Sequence, residues 1–258
     1  MTYQTITLDI ADNTAIIHLN RPEKFNALNS LMRAEVADAV RTASAEARAI
    51  VLTGSGSAFC SGQDLSDGGI LSDPDLEGAL RDEYQPMLRA IVDAPVPVIA
   101  AVNGAAAGAG ANLALMCDVV IATESAYFLQ AFSRIGLVPD AGGTYVLPRT
   151  IGTAKAMGAA LFAEKITARQ ADDWGMIWEA VPDADFEAQW KARAAYLANG
   201  PTVAFRTIKE SIRGSWDNDL QAQLDIEGRG QGACGQSRDF KEGVLSFIEK
   251  REAKFEGR

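Results

Sequence analysis

The sequence predicts an α/β fold, and three of its features point that way. Two short uncharged runs, residues 49–53 and 96–102, read as strands buried on both faces, as in a mostly parallel sheet. Each ends in a stretch of small residues. Helical periodicity appears from residue 29 and takes over from about residue 183, where the pattern becomes helical and charged.

The elements follow in order. Residues 5–8 and 15–19 carry strand-like patterns joined by Asp12-Asn13, a hairpin-type turn. Asn29 or Ser30 caps a helix whose apolar positions Leu31, Val36, Ala39, Val40 and Ala43 recur at about 3.6 residues. Residues 119–122 and 126–129 form two further short strands around a turn at 123–125. Thr167-Ala-Arg-Gln170 is a capping box; it opens a short helix that Gly175 ends, and residues 176–181 return as a strand. Phe240, Val244, Phe247, Ile248 and Arg251 place an apolar stripe on the last helix. The expected organisation is an α/β core over residues 1–198 and a helical region over 199–258.

Composition narrows the function classes. With 48% hydrophobic and 22% charged residues in 258, the chain can bury a large core without disulfides. A net charge of −10 argues against nucleic acid as a partner, because phosphate backbones need a basic face. Cys60, Cys117 and Cys234 are far apart and His18 is the only histidine, so no metal-ligand cluster is read and the thiols are expected reduced. The N-terminus lacks the charge and apolar run of a signal peptide. Residues 94–117 are uncharged, but Pro95, Pro97, Gly104, Gly108 and Gly110 interrupt them, so they read as buried strand, turn and helix rather than a membrane span. The expectation is a cytoplasmic protein with no metal and no membrane partner.

The small-residue stretches are Gly54-Ser-Gly-Ser-Ala-Phe-Cys-Ser-Gly-Gln-Asp64-Leu and Asn103-Gly-Ala-Ala-Ala-Gly-Ala-Gly-Ala-Asn112-Leu. Neither contains a G-x-x-x-x-G-K-[ST] phosphate loop, and the second lacks the third glycine of a dinucleotide fingerprint. Two readings stay open from spacing. The glycines permit tight turns and close packing, or they let backbone N–H groups approach a ligand oxygen. Two such loops facing each other would make an oxyanion hole, aided by the N-terminus of the following helix.

Asn20-Arg-Pro-Glu-Lys-Phe-Asn-Ala-Leu28, Phe59-Cys-Ser-Gly-Gln-Asp-Leu65, Val102-Asn-Gly-Ala-Ala-Ala-Gly-Ala-Gly110, Met116-Cys-Asp-Val-Val-Ile121 and Gly136-Leu-Val-Pro-Asp-Ala-Gly-Gly-Thr144 together resemble the enoyl-CoA hydratase/isomerase (crotonase) family, in the family's order and over nearly the whole chain. The resemblance implies a spiral of ββα turns with a C-terminal helical trimerisation region, giving a homotrimer or a dimer of trimers. It implies an acyl-CoA thioester as substrate, with coenzyme A part of the substrate and no separate cofactor. The backbone N–H groups of Gln63 and Ala109 would hold the thioester oxygen.

Hydration of an enoyl thioester is easiest with two carboxylates flanking a water. Where the family's hydratases carry those glutamates, this chain has Asn112 and Phe132, which are expected instead to line the acyl pocket. One acid remains in the neighbourhood, Asp140. An isolated Asp after Pro139 reads as a helix cap, but the family's isomerases place their active carboxylate at this point. One carboxylate suffices to carry a proton from the α-carbon of a thioester to a vinylogous carbon. An apolar wall such as Phe132 would raise its basicity by desolvation. Gly62-Gln-Asp-Leu65, Ala131-Phe-Ser-Arg-Ile-Gly-Leu-Val-Pro-Asp140 and Trp174-Gly-Met-Ile-Trp178 are similar to the branch that acts on ring-1,2-epoxyphenylacetyl-CoA in phenylacetate degradation and gives the oxepin. The alternatives are a general Δ3,Δ2-enoyl-CoA isomerase, a hydratase, and a non-catalytic CoA-binding homologue.

By the same resemblance Arg21 and Lys24 are candidates for the CoA phosphates, and Phe247 and Lys250 for CoA on a neighbouring subunit. His18 and Cys60 are read as packing residues, Asp64 as a helix cap, and Trp174 and Trp178 as core residues beneath a helix end.

Overall fold

The computed structural model describes residues 2–66 and 75–258. Strands β1 (Ile6–Ala11) and β2 (Thr14–Leu19) pair antiparallel across Asp12 and Asn13, whose left-handed φ angles of 49° and 60° suit a tight hairpin. The Asn29 side chain accepts the Met32 N–H at 2.9 Å and starts α1 (Ser30–Glu46). The cap fixes the helix phase one step from expectation. Met32 turns inward with Val36, Ala39, Val40 and Ala43, and Leu31 is left exposed.

The chain continues through β3 (Ala49–Gly54), β4 (Ala58–Cys60), α2 (Leu76–Ala79), a π-helical turn (Leu80–Tyr84) and α3 (Gln85–Val92). Then come β5 (Val98–Val102), β6 (Ala105–Ala107), α4 (Ala109–Leu115), β7 (Val119–Thr123) and β8 (Tyr127–Leu129). They are followed by α5 (Gly143–Phe162), β9 (Ile166–Thr167), α6 (Ala168–Asp173), β10 (Glu179–Val181) and α7 (Phe186–Ala198). The last helices are α8 (Thr202–Gly214), α9 (Leu220–Gly235) and α10 (Arg238–Glu249).

One sheet has the order β1-β2-β3-β5-β7-β10, parallel from β2 onward; the other has the order β4-β6-β8-β9. β3, β5 and β7 lie side by side in the first sheet, and each is followed by a short strand of the second. The chain therefore winds as a spiral of repeated two-strand turns, the predicted architecture. Strands β4, β6 and β9, of two or three residues, are too short to carry a period, so sequence patterning does not reveal the second sheet. The expected strand at 176–181 forms only at its end, while Met176 and Ile177 pack into the core. The capping box holds: Thr167 accepts the Gln170 N–H at 3.2 Å, and the Gln170 carboxamide accepts the Thr167 N–H at 3.1 Å.

The parallel strands read as unbroken apolar runs because both sheet faces are covered. Residues of α1, α3 and α4 enclose Ile50, Leu52, Val98 and Ala100 on one side. Phe186, Trp190 and Ala194 of α7 cover Val51, Ile99, Ala101 and Ile121 on the other. Asp118 ties α8 to this core: it accepts Lys209 Nζ at 2.9 Å, Arg213 Nη2 at 2.8 Å and the Val98 N–H at 2.8 Å. The stripe expected on the last helix faces outward, with Phe240, Phe247 and Ile248 exposed, and α9 buries none of its residues. Trp178, expected in the core, is also exposed; Trp174 is partly buried, with Lys155 Nζ 4.2 Å from its ring centre. Among the described residues no helix is long and apolar enough to cross a membrane.

Candidate active site

Strands β4, β6 and β8 are neighbours in the second sheet and run parallel, so their C-terminal ends open on the same side. Parallel sheets commonly bind ligands at this edge. β4 leads into Ser61–Leu65, β6 into Gly108 and α4, and β8 through Gln130 into the Phe132 turn and on to Asp140. Gln63, Ala109, Phe132 and Asp140 thus come from three adjacent strand ends.

The first two loops meet closely. Gly62 has φ 94°, and a Cβ there would stand 2.8 Å from the Ala107 carbonyl oxygen and 3.4 Å from the Ala109 nitrogen. Only glycine allows that approach. Likewise a Cβ on Gly110 would stand 2.7 Å from Cys60 Sγ, so α4 rests directly on the end of β4. Gln63 forms an isolated parallel bridge with Leu28, but the hydrogen bonds run from Leu28 N–H to Gly62 and from Asp64 N–H to Leu28. The Gln63 N–H takes no part in that pairing. The Gly108 N–H is spent on Leu129 at 2.8 Å. The next one, that of Ala109, opens α4 and has no carbonyl one turn back within the helix. These are the two main-chain donors expected to face a ligand oxygen.

Asp140 does not cap a helix. Gly142 occupies the N-cap of α5, without any side-chain cap bond. Asp140 Oδ1 is buried with no hydrogen-bond partner among the described residues. Burial pushes this carboxyl up to about 6, opposed only by a hydrogen bond from its own backbone. A desolvated carboxylate of that kind suits proton transfer near neutrality. Phe132 is buried on the turn that leads to Asp140: the Leu137 N–H donates to the Phe132 carbonyl at 3.0 Å, and the ring tip lies 3.8 Å from where a Gly108 Cβ would be.

Asn112 is fully buried, and both ends of its amide are committed. Nδ2 donates to the Asp140 carbonyl at 2.7 Å, and Oδ1 accepts Gln130 Nε2 at 2.8 Å. It is therefore a bracket between α4 and the Asp140 loop rather than the pocket wall expected of it. Gln130 was not foreseen. Its position just past β8 is unremarkable in sequence, and its role appears only when the 18-residue separation from Asn112 is closed by the fold.

Arg21, expected at a phosphate, turns inward instead: Nη2 pairs with Asp64 at 2.8 Å and Nη1 donates to the Ala27 carbonyl at 2.6 Å. Asp64 is no helix cap among the described residues. It accepts Ser66 Oγ and N–H, and with these bonds and Arg21 opposing burial its carboxyl falls to about 2. Lys24 is exposed on the turn beside the first loop, where Ser61 Oγ donates to its carbonyl at 3.3 Å. Phe247 and Lys250 are exposed on and just past α10; no hydrogen bond or ion pair among the described residues joins that helix to the cluster. Burial raises the Cys60 thiol to about 12, so it stays protonated and packs.

Among the described residues no main-chain hydrogen bond engages the Gln63 or Ala109 N–H, and Asp140 is a desolvated carboxylate. Such donors and such a base are the components that enolise a carbonyl compound. The sequence pattern of the enoyl-CoA hydratase/isomerase family matches residues 9–258. The chain is 60% identical to a probable enoyl-CoA hydratase of Rhodobacter capsulatus over 100% of both chains. It is 44% identical to the 1,2-epoxyphenylacetyl-CoA isomerase of Escherichia coli, over 93% of this chain and 94% of that one. A crystal structure of an enoyl-CoA hydratase from Bacillus anthracis superposes with a TM-score of 0.91 at 31% identity, covering 99% of this chain and 100% of that one.

Proposed function

The chain belongs to the enoyl-CoA hydratase/isomerase (crotonase) family; on that premise we propose that it is an acyl-CoA isomerase in which Asp140 carries the proton. The Gln63 and Ala109 N–H groups hold the thioester oxygen, and Asp140 takes a proton from the α-carbon. The electron pair moves into an enolate whose charge sits on that oxygen. The protonated Asp140 then returns the proton to a vinylogous carbon, which regenerates the carboxylate and transposes the double bond. No water enters the balance.

The observation that carries this reading is Asp140 Oδ1, a buried carboxylate oxygen without a hydrogen-bond partner among the described residues, in company with an amide and a phenyl ring where the family's hydratases are expected to carry carboxylates. The relative from Escherichia coli supports 1,2-epoxyphenylacetyl-CoA as the substrate, and oxepin-CoA is the product proposed with it. The relative from Rhodobacter capsulatus keeps hydration as the second reading. Lys24 is proposed at the CoA phosphates, and Phe247 and Lys250 at CoA bound to a neighbouring copy. Their exposure, and that of the apolar side chains on α8, α9 and α10, supports assembly into trimers through this region. The enzyme is proposed to act in the cytoplasm.

Incubation with a 3-enoyl-CoA in deuterated water tests the reaction type, with double-bond position and label uptake followed together. Transposition is expected, with the γ-carbon keeping the substrate's own hydrogen except to the extent that protonated Asp140 exchanges with solvent before returning it. Rapid hydration of crotonyl-CoA without transposition would overturn the isomerase reading. Parallel kinetics on 1,2-epoxyphenylacetyl-CoA decide the substrate, and a strong preference for aliphatic chains would overturn the ring assignment.

A further inference from the structure

A second cluster packs against the first loop; burial chiefly, with help from the charge of Asp140, holds the phenol of its Tyr84 above the ordinary value. Arg33, on α1, is 2% exposed. Its Nη1 donates both to the Leu28 carbonyl at 2.9 Å and to the Gln63 side-chain oxygen at 2.8 Å. Leu28 and Gln63 are the two members of the isolated bridge, so one guanidinium nitrogen spans it. Tyr84 Oη donates to the same Gln63 oxygen at 2.6 Å, and the Arg33 guanidinium lies 4.6 Å from the Tyr84 ring centre. Glu83 accepts Arg33 Nε at 2.9 Å and balances the buried charge.

Glu83 and Tyr84 end the π-helical turn between α2 and α3. A π-turn alters the helical phase and is a recurrent device at functional sites. Here it lets consecutive residues reach Arg33 and Gln63 together. The Gln63 side-chain oxygen is held by two donors, one on α1 and one on the π-helical turn. With its side chain held and its neighbours Gly62 and Asp64 bonded to Leu28, the Gln63 peptide has little freedom to rotate.

We propose that Tyr84 and Arg33 are positioning residues that lock the Gln63 side chain and thereby aim its main-chain N–H at the thioester oxygen. The clamp rests on the reading of that N–H as the thioester contact. A preorganised donor stabilises an oxyanion more than one that must reorient during reaction. Binding to the rest of the CoA ester does not depend on it, so the effect falls on kcat rather than on KM.

The test uses an enoyl-CoA conjugated to a dimethylaminophenyl ring, whose absorption moves to longer wavelength when its carbonyl is polarised. Wild type, Tyr84→Phe and Arg33→Lys are compared for this shift, for kcat and KM, and for thermal unfolding. Tyr84→Phe keeps the ring in place and removes one hydrogen bond. Arg33→Lys keeps a charge for Glu83 but loses the fork, so the outcome does not hang on one variant's folding. The expected result is a smaller red shift in both variants and a fall in kcat of about five- to tenfold, with KM within about twofold. A Gln63→Met variant should show the same loss, and Tyr84→Phe should add nothing to it. A wild-type shift that both folded variants retain, with unchanged kcat, overturns the clamp alone. Absence of the shift in wild type overturns the clamp together with the thioester contact it serves.

Discussion

The Asn112 side-chain amide donates to the main-chain oxygen of Asp140 across 2.7 Å, and the same amide accepts from Gln130 at 2.8 Å. Asn112 thereby fixes the backbone of Asp140. Ala109 and Asn112 lie one turn apart on α4. The proposed oxyanion donor and the proposed base are therefore referenced to the same helix.

Asn112→Ala is expected to lower kcat/KM about tenfold and to destabilise the protein by about 2 kcal/mol, since it frees the Asp140 loop and strands the buried Gln130 amide. Steady-state kinetics and urea unfolding check both numbers. Full activity in a less stable variant would show that the bracket does not aim the acid.

Asp140→Asn should reduce kcat at least about a thousandfold while CoA-ester binding survives. Stability should move the other way. The folded-state carboxyl titrates near 6 against an ordinary value of 3.8, so its stabilising contribution is complete below 3.8 and is lost as pH rises through 6. Asn mimics the neutral form. The variant should therefore match wild type at pH 4 and unfold at a higher temperature at pH 8, which calorimetry at the two pH values will show.

The pH profile of kcat/KM should rise through an apparent value near 6 as Asp140 ionises. Phe132→Ser would admit water beside the carboxylate and move that inflection toward the ordinary range, with a lower plateau. An inflection unmoved in the variant would mean that Phe132 does not desolvate the acid.

Asp118→Ala leaves Lys209 buried beside Arg213 without their shared carboxylate. A loss of about 3–5 kcal/mol is expected in chemical denaturation. Asp118→Asn, which keeps an acceptor for the Val98 N–H, should recover part of it.

The parts of the site that were legible in the sequence are those built from contiguous residues at strand ends. The two glycine-rich loops and Asp140 belong to this group because their chemistry lies in local backbone or in a lone acid. The Arg33–Gln63–Tyr84 cluster was not legible, since it joins residues 21 to 30 positions apart through a bridge that no period announces. One signal existed: Arg33 falls next to Met32 on the side of α1 that turns inward. Arg21 shows the converse difficulty. Its charge was read correctly, but a sequence does not say whether a guanidinium faces solvent or an acid 43 residues away.

The three loops of the site hang from β4, β6 and β8, and neighbouring strands in any sheet stand about 4.8 Å apart because peptide hydrogen bonding sets the interval. The ladder therefore works as a ruler. Two intervals, about 10 Å in all, separate the outermost of these loops, whatever side chains decorate them. Substitutions in the loops can change the groups presented at this edge, but the interval between the strands that carry them is written into the peptide backbone.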